Sequence, residues 1–181
     1  SGRVLYEKNG KEALANASTT KILTCIIALE NCDANQIVEF SETASKAPKV
    51  HLGAKCGSRF WMKDLLYAMM LESYNDCAVA IAEQIAGTVE NFSSIMNSYA
   101  EKIGCKDTHF LTPNGLDAGL EHYTTARDLA KIACYAWKKP MIRKIVKQQQ
   151  GTITSLNGNT YTFRTTNKLL GNMDRVYGIK T

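Results

Sequence analysis

No apolar run in this chain approaches the roughly 20 residues that a bilayer-spanning helix needs. Nothing near its start has the order of a secretory leader, and the abrupt opening "SGRVLY" reads as a mature protein or a piece cut from a longer one. The net charge of +5 is modest, and the lysines are scattered, with no basic stripe and no interleaved aromatics. That argues against nucleic acid as a partner. None of the six cysteines (Cys25, Cys32, Cys56, Cys77, Cys105 and Cys134) forms a C-x-x-C pair, and their spacings suggest no metal site. Most sit in helical, Ala-like surroundings, where a free thiol acts as a small hydrophobe, so they do not decide the redox compartment. A G-x-S-x-G elbow is also missing, and His51, His109 and His122 lie in neither glycine-rich nor acidic settings, which sets aside a Ser-His-Asp triad. There are no internal repeats and no low-complexity segments. What remains is ordinary globular composition: 181 residues, 45% hydrophobic and 22% charged, enough for one domain with a sizeable core.

The periodicities divide this chain into strands at its ends and helices between. "GRVLYEKNGKEAL" alternates around Asn9-Gly10 and predicts a hairpin. A helix follows from about Ser18 to Glu30, then a short strand in "NQIVEF" and a polar, loop-like stretch over 41–58. "WMKDLLYAMML" and "DCAVAIAEQIAG" are helical, the second stopped by Gly87. "TVENFSSIMNSYAEKIG" puts Val89, Phe92, Met96, Tyr99 and Ile103 on one helical face. "TTARDLAKIACYAW" opens with Thr125 three residues before Asp128, as in a capping box, and its apolar stripe reads Leu129, Ala130, Ala133, Trp137. "GTITSLNGNTYTFRTTN" predicts a second hairpin about Asn157-Gly158, and "VYGIKT" a last strand. Strands flanking a helical middle predict an α+β fold whose N- and C-terminal strands share one antiparallel sheet.

The chemistry begins in "NASTTKILT". Ser and Thr suit a helix entrance because their hydroxyls satisfy orphan N–H groups. Lys21 does not suit it, since it lies at i+3 from Ser18 near the positive end of the helix dipole. A serine is a weak nucleophile unless a base removes its proton, and a neutral Lys21 could be that base. Bringing a lysine from about 10.4 to about 7 requires roughly 4–5 kcal/mol of desolvation or neighbouring positive charge, so a second cation is expected nearby. S-x-x-K alone is weak, because about one is expected by chance in a chain this long. It has companions. Ser73 and Asn75 form S-x-N in "ESYNDCAVA", 55 residues after Ser18, where a hydroxyl could relay a proton and an amide could orient the lysine. The competing Ser155-Leu156-Asn157 leads into the predicted hairpin turn, which explains it. Lys180-Thr181 is the only K-T pair and could supply the second cation.

In this order the three elements resemble the S-x-x-K, S-x-N and K-T-G motifs of serine penicillin-recognising enzymes. The segments "GRVLYEKN", "DLLYAMMLESYNDCAVAIAEQIAG" and "MNSYAEKIGCKDTHFLTPNGLD" extend that likeness to the D-alanyl-D-alanine carboxypeptidases, the low-molecular-mass penicillin-binding proteins. The resemblance implies a β-lactamase/transpeptidase-like fold in a single domain over 1–181 whose C-terminal strands are missing. It implies that Ser18 attacks the carbonyl between two terminal D-alanines of a peptidoglycan stem peptide. Lys21 would act as base, Ser73 and Asn75 would relay protons and orient substrate, and Lys180 and Thr181 would bind the terminal carboxylate. Penicillins and other β-lactams would acylate the same serine, with no metal or cofactor. The location implied is the outer side of a bacterial cytoplasmic membrane, with membrane contact only through segments outside this chain. Part of the family's oxyanion hole lies beyond its K-T-G glycine, so a chain stopping at Thr181 is expected to be a slow catalyst. Two readings compete: a serine β-lactamase, whose deacylating Glu in E-x-x-L-N context is not among Asp107, Asp117, Glu121 and Asp128, and a penicillin-recognising sensor that stays acylated.

Overall fold

The computed structural model describes residues 3–116 and 121–180. Its centre is helix α1 (Lys21–Asn31), in which every residue from Lys21 to Ala28 is buried. A helix buried on all sides must be covered on all sides. Helices α3 (Met62–Glu72) and α4 (Asn75–Ala86) pack against it and each other. Outside them lie α5 (Val89–Ile103), α6 (Ala126–Trp137) and α7 (Pro140–Val146), with the short α2 (Glu42–Ser45) against α4. Ile22, Leu23, Ile26 and Ile27 are nearly or wholly inaccessible. Burial contributes about 1.5–3 kcal/mol for each such side chain, which fixes α1 as the element around which the rest is placed.

The α+β class is as expected, with strands small and peripheral. β1 (Ala13–Leu14) pairs with β4 (Thr124–Thr125), β2 (Ile37–Glu39) with β3 (Arg59–Trp61), and β5 (Gln150–Thr154) with β6 (Thr160–Arg164), all antiparallel. The expected single sheet joining both ends is therefore not formed among the described residues. The reason lies at the strand edges. Asn157-Gly158 folds β5 directly onto β6, and beyond β6 the backbone turns to α3: Arg164 N donates to Glu72 Oε1 and Thr166 N to Leu71 O. The N-terminal hairpin is also absent among the described residues. Asn9-Gly10 still makes its turn, closed by Glu12 N on Asn9 O, but Gly10 O accepts from Arg127 N and β1 is taken by β4. Val4, Leu5 and Tyr6 are left exposed. Residues 176–180 form no ladder, so "VYGIKT" is not a strand there.

The helices follow the sequence more closely. Phe92, Met96 and Ala100 form the buried line of α5. In α6 the buried line is Asp128, Ile132 and Ala136, rotated from the expected stripe, and Ala130 is exposed. The rotation follows from Asp128, whose carboxylate accepts from Lys106 N, Asp107 N and Thr108 Oγ1 and turns that face inward. Among the described residues no helix is long and apolar enough to cross a membrane.

Candidate active site

Ser18 and Lys21 are set by a change of helical pitch. Ala17–Thr20 form one 3-10 turn that runs directly into α1, and Lys21 N donates to the Ser18 and Thr19 carbonyls. The turn is tight enough to hold Ala17 at φ 42°, in the left-handed region that non-glycine residues avoid. Opposite it lies Gly115 at φ +80°; a Cβ there would come within 1.8 Å of Ala17 O, so only glycine fits. The loop around Gly115 is tied to the same helix, with Thr24 Oγ1 donating to Pro113 O (2.6 Å). A further tie comes from His122. Its Nδ1 accepts from Leu111 N (3.0 Å), which leaves Nε2 protonated to donate to Thr20 Oγ1 (2.9 Å).

Ser18 is half-buried, whereas Lys21 is fully buried. Lys21 Nζ lies 3.0 Å from Ser18 Oγ, 2.8 Å from Asn75 Oδ1 and 2.8 Å from Asn114 O. The last two atoms can only accept. A neutral amine has two N–H donors and one lone pair, so those acceptors take both donors and the lone pair is left facing the Ser18 hydroxyl. The protonation state suits this arrangement. Burial first, and then the positive charge of Lys180, lower Lys21 from 10.5 to about 7, against a smaller opposing pull from Cys77. Lys180 is itself brought down to about 8 by burial.

Ser73 ends α3 with φ 69° and ψ 29°, in the left-handed conformation, and its Oγ is buried without a hydrogen-bond partner. An unsatisfied buried hydroxyl costs about 1–3 kcal/mol, and a strained non-glycine residue costs a similar amount. Two residues on, Asn75 opens α4 with its side chain fixed at both ends: Oδ1 receives Lys21 Nζ, and Nδ2 donates to Pro48 O (3.0 Å).

Ser18, Lys21 and Asn75 are thus joined by direct bonds, Ser73 lies two residues before Asn75 in the chain, and Lys180 acts on Lys21 through its charge. Thr181 lies outside the described residues. The rival Asn157 stays in the β5–β6 turn, where its Oδ1 accepts from Arg59 N. Among the described residues no acid pairs with either nitrogen of His122, and His109 Nδ1 faces the Glu121 carbonyl. Asp128 is committed to backbone amides, Glu121 is exposed, and Asp117 lies outside the described residues. All six cysteines are free thiols, and among the described residues no three His, Cys, Asp or Glu side chains converge as a metal site. The Asn114 carbonyl escaped the sequence reading because a backbone atom leaves no residue-type signal; Gly115, next to it, was the one visible trace. The arrangement can deprotonate a serine at neutral pH beside a second cation.

A family model described as D-alanyl-D-alanine carboxypeptidase matches residues 1–181. The D-alanyl-D-alanine carboxypeptidase DacF of Bacillus subtilis is 34% identical over 186 residues, covering 99% of this chain and 47% of that protein. This chain therefore spans about half the length of that relative. Among solved structures, the Streptomyces K15 DD-transpeptidase superposes with a TM-score of 0.87 at 31% identity, covering 98% of this chain and 74% of the other. The D-alanyl-D-alanine carboxypeptidase DacD of Francisella tularensis superposes with a TM-score of 0.89 at 27% identity, covering 100% of this chain and 56% of the other.

Proposed function

Because this chain belongs to the D-alanyl-D-alanine carboxypeptidase family, we propose that it carries a serine acyl-transfer site that removes the terminal D-alanine from peptidoglycan stem peptides and is blocked by penicillins. The observation that supports this reading is the lone pair of a neutral Lys21 directed at Ser18 Oγ, with both of its N–H donors already engaged. Ser18 Oγ attacks the carbonyl carbon between the two D-alanines while Lys21 takes its proton. The N–H of Ser18, in the 3-10 turn that leads into α1, faces the developing oxyanion. As the tetrahedral species collapses, the C–N bond breaks and Lys21 gives up its proton, through the Ser73 hydroxyl, which has no competing partner, to the departing D-alanine amine. Water then attacks the Ser18 ester and gives a proton to Lys21; as the acyl C–O bond breaks, Lys21 passes that proton to Ser18 Oγ, the shortened peptide leaves with a free carboxylate, and the resting site is restored. Lys180 draws the substrate's terminal carboxylate and keeps Lys21 deprotonated. Thr181 assists at that carboxylate, and Asn75 holds the lysine and the substrate amide. The place of action is the bacterial cell wall.

The test is intact-protein mass spectrometry after exposure to benzylpenicillin, followed by D-alanine release from a peptide ending in D-alanyl-D-alanine. One penicilloyl adduct that disappears in Ser18→Ala, together with D-alanine release, is the expected result. Rapid repeated turnover of nitrocefin would instead make this a β-lactamase, and a permanent adduct without D-alanine release a sensor. No adduct at all would sink the proposal.

A further inference from the structure

Asp76 follows Asn75 at the start of α4 and is 1% exposed. A carboxylate this deep needs dense hydrogen bonding to replace its lost hydration. Backbone amides provide it: Leu52 N donates to Oδ1, Gly53 N to Oδ2 and Cys77 N to Oδ1, each at 2.9 Å. Two of these amides belong to a loop over residues 48–53 that crosses the head of α4. That loop also grips Asn75. Val50 O accepts from Asn75 N (2.8 Å), and Pro48 O accepts from Asn75 Nδ2 (3.0 Å).

The Pro48 carbonyl decides which way the Asn75 amide faces. A carbonyl only accepts, so the NH2 group must point to Pro48 and the oxygen to Lys21. Were the amide to turn over, its NH2 would meet Lys21 N–H, and the lone pair would no longer be confined to Ser18. The orientation of Asn75 thus depends on where the loop holds Pro48, and charge-assisted bonds to Asp76 are the strong fastenings of that loop.

We infer that Asp76 is a positioning residue: by clamping Leu52 and Gly53 it holds the Pro48 and Val50 carbonyls on Asn75, and so keeps the Asn75 oxygen turned toward Lys21. Its kinetic consequence rests on the acyl-transfer reading above, whereas the amide orientation does not. Asp76 itself touches neither Lys21 nor Ser18 by any of these bonds, so its effect must pass through Asn75. That dependence separates it from a residue that only supports the fold.

The experiment is a double-mutant cycle with two readouts. Asp76→Asn keeps the shape but puts an NH2 either against the Gly53 N–H or against the Leu52 and Cys77 N–H groups. In amide hydrogen exchange by NMR, the Leu52 and Gly53 amides and the Asn75 side-chain amide are expected to lose protection, while α1 amides stay as in the parent. Penicillin acylation is expected to fall by about 10- to 100-fold, the scale of a small misplacement of a catalytic group. In an Asn75→Ala background the same substitution is expected to change acylation by less than about twofold, because the residue it acts through is gone. Asp76→Glu, which keeps the charge but oversteps by one methylene, serves where Asp76→Asn does not fold. Unchanged protection of the Asn75 amide overturns the inference. So do equal losses of acylation in both backgrounds, which mean that Asp76 supports the fold independently. A parent protein that is never acylated overturns the acyl-transfer reading instead, and the exchange data then decide the positioning role alone.

Discussion

Lys21 Nζ has three partners and only one of them is reactive, so its substitutions are not equivalent. Lys21→Arg keeps the charge but cannot release a proton, and it is expected to lose acylation nearly as fully as Lys21→Ala, by about 10²–10⁴-fold. An Arg variant that keeps most of the rate would make Lys21 a fixed charge and not a base. The two lysines also set a pH profile. Lys21 must be neutral, so acylation should rise through about pH 7; Lys180 must be charged to hold a carboxylate, so the rate should fall again above about pH 8. Lys180→Gln removes the charge that helps lower Lys21. Its rising limb should move to higher pH and its falling limb should vanish, as a stopped-flow acylation profile would record. Ser18, Lys21, Ser73 and Asn75 were legible because the chemistry names residue types at fixed spacings. Asn114 was not, because its contribution is a carbonyl that any residue carries, and Asp76 was not, because no spacing in the sequence ties it to the amides of Leu52 and Gly53.

At the scale of elements, the 3-10 turn stands or falls with the loop across from it. Gly115→Ala drives a methyl group into the Ala17 carbonyl and strains a left-handed backbone. It is expected to cost at least about 1 kcal/mol by denaturant titration and to slow acylation as well, since Asn114 O moves with it. A variant as stable and as reactive as the parent would show that the turn does not depend on this close approach. The helices were legible in the sequence because burial repeats along them, as Phe92 and Met96 in α5 show. The stripe of α6 was misjudged because Asp128, a charged residue, faces inward for the sake of the amides it accepts. The sheet was misjudged for another reason. Alternation reports that a strand has two faces, but not which edge it joins, and β1 joins Thr124–Thr125 rather than its own hairpin arm.

For the whole molecule, the displaced pKa values set how stability changes with pH. His122 is lowered by burial from 6.5 to about 4. The unfolded chain therefore takes up this proton first, and the stabilisation present above pH 6.5 is lost as pH falls toward 4. Melting temperature should drop across that range, with a shallower slope in His122→Gln; parallel slopes would mean that other groups govern acid unfolding. On the alkaline side, Lys21 and Lys180 bind protons more weakly when folded than when unfolded, so stability should climb from about pH 7 to 9. Above that the buried thiol of Cys25, raised to about 12, and the half-buried thiol of Cys105, raised to about 11, reverse the trend. Asn75 and Asn114 meet Lys21 from 54 and 93 residues away along the chain. Contacts so remote in sequence close only when the topology as a whole has closed, so no early helical fragment can hold the amine in place. Reactivity and cooperative folding are then a single transition: on heating, the loss of penicillin labelling should coincide with the loss of near-ultraviolet circular dichroism, and there should be no partly melted form that still reacts.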